Sequence, residues 1–216
     1  MKKIRKSFIA SICLLTAFVL WTVAIYFVDV RAIGPQGSSV GFSGINGFFH
    51  TLTGVHFSLY NITDWLGLVP IFVCIGFGIL GLIQWIKRKS ICKVDYDILV
   101  LGGFYIVTVA VYLLFESVVI NYRPVLIGGI LEASYPSSTT ILVMCVMPTA
   151  IMQFGSRIKN KMLRNIIAVT IISFIAFMVI GRLISGVHWF TDIVGGTLLS
   201  TGLVMLYRAI IGLEVG

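Results

Sequence analysis

The sequence predicts an all-α membrane protein: a bundle of six transmembrane helices with both termini in the cytoplasm and a short amphipathic helix in the first outer loop. Three observations lead to this fold class. The chain is 58% hydrophobic and only 11% charged, whereas a soluble domain is roughly 25% charged. Its apolar residues form six separate runs. Its basic residues cluster in alternate connections between those runs.

The six apolar runs each have a length close to the ~20 residues that a helix needs to cross a bilayer. They lie at about 8–28, 66–86, 98–120, 138–154, 166–187 and 190–212. The first run follows a basic segment, as in a signal peptide, but it is too long for one and no Ala-x-Ala-like site follows it. We therefore interpret it as the first span. Residues 1–216 are predicted to form a single integral membrane domain.

The positions of lysine and arginine predict the orientation of these spans. Four precede the first span, four lie within 87–93, four lie within 157–164, and Arg208 lies near the C-terminus, which accounts for 13 of the 16. These residues share one side of a six-span chain, and basic residues stay cytoplasmic. The other side holds Arg31, Arg123 and Arg182. The membrane thus explains the net charge of +8 without a nucleic-acid partner, and we expect a bacterial plasma membrane location.

The longest outer loop, about 30–64, begins with a turn-rich segment at 34–41. Apolar residues then recur at helical spacing from Phe42 to Val55, which predicts a short amphipathic helix on the membrane surface. His50 and His56 in this loop are most simply ordinary interfacial histidines. The four cysteines show no pairing or metal-ligand spacing, so we expect no disulfide, no metal and no cofactor. No obligate protein partner is indicated.

One polar stretch, residues 181–196, interrupts an otherwise apolar region. It contains Arg182, His188 and Asp192. Residues four apart share a helix face, so the Asp192 carboxylate can reach the His188 ring, fix its tautomer and raise the basicity of the other nitrogen. Arg182 can hold an anion next to that nitrogen. The simpler alternative is a buried His–Asp pair that only locks two helices together.

The second outer loop ends at the start of the fourth span. Arg123 precedes a proline, and Pro136 is expected to open the helix at its first turn. Ser137, Ser138 and Thr139 would then lie in that turn, where free backbone N–H groups attract an anion, or they would simply cap the helix. The orientation locates these residues at the outer rim with Arg182 and His188. Ionisable residues at this depth usually indicate a functional site.

With these residues together, the chain resembles the type 2 phosphatidic acid phosphatase superfamily, which are six-span lipid phosphatases that work without metal. The family has three motifs: Lys, six residues, Arg-Pro; Pro-Ser-Gly-His; and Ser-Arg, five residues, His, three residues, Asp. The third matches at Arg182, His188 and Asp192, including the Gly-Val-His-Trp and Asp-Ile-Val-Gly-Gly surroundings. The first matches as Arg123-Pro124 and the second as Pro136-Ser137.

The resemblance implies a role for each matching residue. His188 would be the nucleophile that forms a phosphohistidine, and Asp192 would orient it. Arg123 and Arg182 would bind the phosphoryl oxygens, and Ser137 would donate to one of them. Phosphoryl transfer depends mainly on positioning and on neutralising charge, which these groups can supply. The implied activity is a metal-independent phosphatase or diphosphatase acting on a membrane lipid at the outer face.

Three positions depart from the family pattern. Glu116 replaces the lysine, Gly181 replaces the serine before Arg182, and Thr139 replaces the histidine that protonates the leaving group. Threonine is no acid near pH 7, and general acid catalysis contributes about 10²–10⁴-fold. A phosphate leaving group needs this proton much less than an alkoxide does. The hypothesis is therefore a diphosphate lipid such as undecaprenyl diphosphate, although a phosphatidate-type monophosphate stays open, with His50 or His56 then supplying the acid.

The role of Glu116 is left open, because it can pair with Arg123 or Arg182 or accept a proton itself. Beside a phosphate, an unpaired carboxylate would weaken binding. Two other functions stay open alongside hydrolysis. One is a catalytically weakened relative that binds lipid phosphates, and the other is a phosphotransferase that passes the phosphoryl group to another acceptor. A small transporter is disfavoured, because no broken helices occur in matching halves of the chain.

Overall fold

The computed structural model describes residues 2–213, apart from the side chain of Lys3. The ends of the predicted domain, Met1 and residues 214–216, lie outside the described residues. Residues 2–213 contain eight α-helices: α1 (Lys2–Phe27), α2 (Ser43–Thr53), α3 (Phe57–Leu66), α4 (Leu68–Arg88), α5 (Tyr96–Ser117), α6 (Ser138–Arg157), α7 (Lys161–Ile184) and α8 (Phe190–Gly212). No strand forms within residues 2–213, where only isolated bridges occur.

Six segments of this structure are long and apolar enough to cross a membrane, in agreement with the six predicted spans. They are Ile4–Phe27, Phe57–Arg88, Tyr96–Ser117, Ser138–Arg157, Lys161–Ile184 and Phe190–Gly212. The second differs most from its predicted bounds, because it starts in α3, which was expected to belong to the first outer loop. Polar residues such as Thr63 and Asp64 obscure the apolar pattern of α3. The fifth ends at Ile184, before the predicted residue 187, because Gly186 turns the chain with a φ of +69°.

Two helices, α6 and α8, form the centre of the bundle. More than half of the apolar part of each of these two spans is buried (56%), against at most 22% in the other spans. The apolar side chains of the other spans cover the outer surface of the bundle. Helix α1 packs along α8, and a Cβ at Gly202 would lie 2.9 Å from Leu15, so the absence of a side chain permits this contact. Helices α4, α5 and α7 pack around α6.

The short helix α2 confirms the predicted amphipathic helix. Its exposed face carries Ile45, Phe48 and Leu52, as a membrane-surface helix would. Its buried face is fixed to the start of α8, because the Asn46 amide bonds both the hydroxyl and the backbone N–H of Thr191, at 3.0 and 3.1 Å. Helix α2 therefore supports the N-terminus of α8.

The two ends of the bundle differ in their chemistry. At one end, Arg157 bonds Asp97 at 2.8 Å and Arg88 bonds Asp95 at 2.7 Å, which ties the α4–α5 connection to the end of α6. At the other end, the start of α6, the end of α7 and the start of α8 meet. That second end contains the polar stretch at 181–196 and the outer loop before α6.

Candidate active site

The His188 side chain lies at the centre of this polar end, in the connection between α7 and α8. It is only 4% exposed. Its Nε2 atom is 3.4 Å from the Arg123 Nη1 atom and 3.4 Å from the Arg182 Nη2 atom. Guanidinium nitrogens only donate hydrogen bonds, so both arginines present N–H groups to one ring nitrogen. The arrangement forms a positively charged site around Nε2.

The other ring nitrogen, Nδ1, faces Asp192 through an intervening serine. The Nδ1–Asp192 Oδ2 distance is 3.6 Å, whereas Ser134 Oγ lies 3.1 Å from Nδ1 and donates a hydrogen bond to Asp192 Oδ2. The expected direct histidine–aspartate bond is therefore replaced by a bridge. Asp192 Oδ2 also accepts from the Trp189 backbone N–H at 2.8 Å, which closes the first turn of α8.

Arg182 is held against α3 by several weak contacts. Its side chain is 1% exposed, and its Nη1 lies 3.4 Å from Thr63 Oγ1 and 3.6 Å from Asp64 Oδ1. The guanidinium carbon lies 4.8 Å from the centre of the Tyr60 ring, a cation–π distance. Gly181 allows this approach, since a Cβ there would lie 2.9 Å from the Thr63 methyl group. A serine at position 181 would crowd Thr63.

Arg123 is positioned by its own loop. Its backbone N–H donates to the Glu132 carbonyl at 3.0 Å, and its Nε lies 3.0 Å from Glu132 Oε2. The Tyr60 ring lies 5.9 Å from its guanidinium carbon, so one aromatic ring contacts both site arginines. The loop thus directs Arg123 inward while Glu132 balances part of its charge.

The residues of the predicted helix start occupy slightly different places than expected. Pro136 precedes the cap of α6 and so does not lie in its first turn, because Ser137 is the capping residue and the helix begins at Ser138. Ser137 is buried, and its Oγ accepts from Thr140 at 3.1 Å, which leaves its own hydroxyl proton available to another acceptor. Thr139 lies in the first turn and lines an apolar groove together with Asp64.

Most of this site, apart from the contacts that α3 supplies, lies within the part of the chain that matches a known family. The sequence model of the PAP2 superfamily matches residues 110–214, which include both site arginines and the whole 181–196 stretch. The resemblance to this superfamily is therefore confirmed over residues 110–214. A comparison with curated protein sequences finds no match.

The fold of the chain is also similar to a solved structure. That structure is described as the crystal structure of the first transmembrane PAP2 type phosphatidylglycerolphosphate phosphatase from Bacillus subtilis. The similarity covers 94% of this chain and 96% of that chain, with a TM-score of 0.62 and 17% sequence identity. At this identity the match shows a shared fold.

The acidic residue at the first-motif position, Glu116, does not pair with either site arginine. It lies exposed at the end of α5 and lines a cleft that also reaches Ser134, Ser138 and His188. Asp64 and Glu132 occupy the positions beside Arg182 and Arg123 instead. The pairing considered for Glu116 is therefore wrong. Its position in the cleft still puts a carboxylate near the route to His188.

The two loop histidines, His50 and His56, do not reach Thr139, which stands where the family has the histidine that protonates the leaving group. The His56 ring is exposed and bonds the Thr53 carbonyl at 2.8 Å, and the His50 ring packs 5.5 Å from the Trp189 ring. Burial lowers the pKa of His50. Neither ring bonds Thr139, so the structure gives no support to either histidine as the missing acid.

Burial and the two neighbouring arginines together determine the charge of His188. Burial is the larger cause, and the positive charges of Arg123 and Arg182 add to it, so the pKa of His188 lies well below its usual value of 6.5. The ring is therefore neutral at pH 7, the form in which Nε2 carries a free electron pair. Among residues 2–213, no group of three or more His, Cys, Asp or Glu side chains is arranged to hold a metal ion.

Several residues that build the site around His188 were not predicted from the sequence. They are Tyr60, Thr63, Asp64, Glu132 and Ser134. Asp64 had a usable signal, because it is an ionisable residue next to the apolar run of the second span. Ser134 lies two residues before Pro136, where a loop serine has no distinguishing pattern. Tyr135 explains its position: the buried Tyr135 ring bonds Thr22 at 2.7 Å and packs where Gly195 lacks a side chain.

Proposed function

We propose that this protein is a membrane lipid phosphatase or diphosphatase that transfers a phosphoryl group to His188 and then to water. The match of residues 110–214 to the PAP2 superfamily, together with the shared fold, supports a membrane phosphatase. The single observation that carries the proposal is the pair of 3.4 Å contacts that direct Arg123 and Arg182 at His188 Nε2. A terminal phosphoryl group that approaches Nε2 would contact both arginines.

The first chemical step follows from this geometry. The Nε2 electron pair forms a bond to phosphorus, and the bond between phosphorus and the leaving oxygen breaks, with its electron pair going to the lipid product. Arg123 and Arg182 neutralise the charge on the equatorial oxygens, and the free Ser137 hydroxyl proton is available to one of them. Buried, preorganised donors of this kind contribute about 10²–10³-fold each to a reaction rate.

Hydrolysis of the phosphohistidine completes the cycle. A water molecule attacks phosphorus from the side the lipid has left, and the N–P bond electrons return to Nε2. The proton lost by the water passes to the released phosphate or to solvent. The cleft beside Glu116 and Ser138 leads to His188 and provides a path for this water. A phosphotransferase would use the same intermediate with a different acceptor in this cleft.

The substrate we propose is a lipid diphosphate, such as undecaprenyl diphosphate. Thr139 stands where a proton donor is expected, and within residues 2–213 no histidine other than His188 bonds a site residue through its ring. When the terminal phosphoryl group of a lipid diphosphate is transferred, the leaving group is a lipid monophosphate, which is a stable anion. When the phosphoryl group of a lipid monophosphate is transferred, the leaving group is an alkoxide that must be protonated. The missing acid therefore favours the diphosphate.

The lipid tail has a matching groove beside the site. This apolar groove has a volume of about 480 Å³ and lies among α4, α5 and the start of α6, with Asp64, Ser138 and Thr139 at its polar end. A lipid whose phosphate contacts Arg182 would therefore direct its tail along the groove towards the membrane interior. The basic clusters at the opposite end of the bundle predict that this site faces outside the cytoplasm.

Phosphate release from purified protein tests the proposal. The protein in detergent is given a panel of lipid diphosphates and lipid monophosphates, with EDTA present throughout, and inorganic phosphate is measured. We expect release from a lipid diphosphate that is abolished by His188→Ala and unchanged in the control His56→Ala, which alters an exposed histidine outside the site. A wild-type protein that binds these lipids without releasing phosphate would reject hydrolysis and support the lipid-binding alternative.

A further inference from the structure

Ser134 occupies a position between the reacting histidine and its aspartate that neither the family motifs nor the proposed function assigns. Its side chain is 3% exposed. Its Oγ lies 3.1 Å from His188 Nδ1 and donates to Asp192 Oδ2, while the direct His188–Asp192 distance is 3.6 Å, too long for a hydrogen bond. Among residues 2–213, the hydrogen-bonded path between the ring and the carboxylate therefore runs through this hydroxyl.

The positions of the protons along the path from His188 through Ser134 to Asp192 determine which ring nitrogen is protonated. A serine hydroxyl has one proton, and an ionised carboxylate only accepts, so that proton points to Asp192. Ser134 Oγ must then accept at its other contact, which requires a proton on His188 Nδ1. The opposite side of the ring gives the same answer independently. Arg123 and Arg182 only donate, so Nε2 must be without a proton.

We propose that Ser134 is a positioning residue that links His188 Nδ1–H to Asp192 and so holds the ring in the tautomer whose Nε2 can attack phosphorus. The role rests on the proposed function, because it matters for turnover only if His188 is the nucleophile. When the N–P bond forms, the ring becomes positively charged. The Nδ1–H group then donates more strongly to Ser134, which passes the stabilisation to the Asp192 carboxylate.

The fold holds Ser134 by contacts that leave its hydroxyl free for this bridge. Its backbone N–H donates to the Asn121 carbonyl at 2.9 Å, so the side chain is not needed to hold the loop. The next residue, Tyr135, fixes the loop against α1 and α8. Removing the Ser134 hydroxyl should therefore change the histidine without releasing the loop.

The kinetic test compares Ser134→Ala with Ser134→Thr, which keeps a hydroxyl. We expect Ser134→Ala to lower kcat by about 10- to 100-fold, the usual cost of losing a partner that orients a functional histidine, with KM within about twofold. Ser134→Thr should recover at least a third of the wild-type kcat. The matched control is Ser11→Ala, which removes a buried hydroxyl bonded to Gly202 at 2.8 Å, about 15 Å along α8 from Asp192 at 1.5 Å per residue.

Nitrogen NMR tests the same inference without any turnover. The chain has three histidines, so the His188 ring signals can be assigned by comparison with His188→Gln. We expect a protonated Nδ1 and an unprotonated Nε2 in the wild type and in Ser11→Ala, and a growing Nε2-protonated form in Ser134→Ala. A wild-type ring protonated on Nε2, an unchanged tautomer in Ser134→Ala, or a Ser134→Ala kcat within twofold of wild type would overturn the proposal.

The two failures can be told apart. If no lipid phosphate is hydrolysed by the wild type, the proposed function fails, yet the tautomer measurement still decides whether Ser134 links His188 to Asp192. If the wild type is active and the tautomer does not respond to Ser134→Ala, the proposed function stands and the role of Ser134 is rejected.

Discussion

Replacing Arg182 by methionine should separate activity from stability. The side chain is 1% exposed and one of its Nη atoms lies 3.4 Å from His188 Nε2, so it is directed at the reacting atom. Losing one buried donor to a developing charge costs about 2.7–4 kcal/mol, or about 10²–10³-fold in kcat. Because the position is shielded from water, salt should not reduce this effect.

The effect on folding has the opposite expected sign. Arg123 and Arg182 each hold a nitrogen 3.4 Å from the same atom, so these nitrogens lie within about 7 Å of each other and repel by about 2 kcal/mol at an effective dielectric constant of about 20. Asp64 offsets little of this, because its side chain is 59% exposed and its distance to Arg182 is 3.6 Å. Replacing buried charged groups by apolar groups of similar volume is often neutral or stabilising, and the carboxylate that this change leaves behind, Asp64, is exposed.

The assay is phosphate release from a lipid diphosphate together with the thermal unfolding midpoint in the same detergent. We expect Arg182→Met to lose about 10²–10³-fold in kcat while its Tm stays equal to or above that of the wild type. The control is Arg31→Met, an exposed arginine that pairs with Asp29 at 3.0 Å, and neither quantity should change. A kcat within tenfold of wild type, or a Tm that falls in step with activity, would refute this account of the arginine pair.

Further predictions concern the leaving group, the nucleophile and the pH dependence of stability. Thr139→His restores an acid at the groove, so the ratio of monophosphate to diphosphate turnover should rise at least about tenfold, and an equal gain on both substrates would contradict the missing-acid explanation. Burial, with the added effect of the two arginines, lowers the pKa of His188, so the acid limb of kcat/KM should lie below pH 6.5. Removing one cation favours the protonated ring, so Arg182→Met should move this limb to higher pH, and a limb that moves to lower pH would count against the assignment. For stability, the unfolded chain binds this proton below pH 6.5 while the folded chain does not, so stability should fall as the pH drops below 6.5.

The six spans could be predicted because each apolar run matches the thickness of a bilayer. The meeting of Arg123, Arg182 and His188 could also be predicted, since the alternation of basic residues locates all three at the same outer rim. Spacing within residues 181–196 was enough to suggest an aspartate close to the His188 ring. These features depend on short-range periodicity and on the membrane, which the sequence displays directly.

The remaining parts of the site depend on contacts between distant segments. Helix α3 lies outside the apolar run of the second predicted span, because Thr63 and Asp64, the residues that contact Arg182, break its apolar pattern. No sequence pattern distinguishes Ser134 from any other loop serine. Its place beside His188 depends on the packing of the next residue, Tyr135, against Gly195. Glu116 departs from a family motif but does not pair with Arg123. Glu132, which belongs to none of the motifs, is the carboxylate beside Arg123.

Trapping the phosphorylated enzyme would show whether His188 Nε2 forms a covalent bond to phosphorus during turnover. The protein is mixed with a lipid diphosphate labelled with ³²P in its terminal phosphate, quenched in alkali within milliseconds to seconds, and analysed by peptide mass spectrometry. We expect label on the peptide that contains His188, in the wild type and in His56→Ala, and none in His188→Ala. Label on a residue other than His188, or continued phosphate release by the His188→Ala variant, would contradict a phosphohistidine at His188.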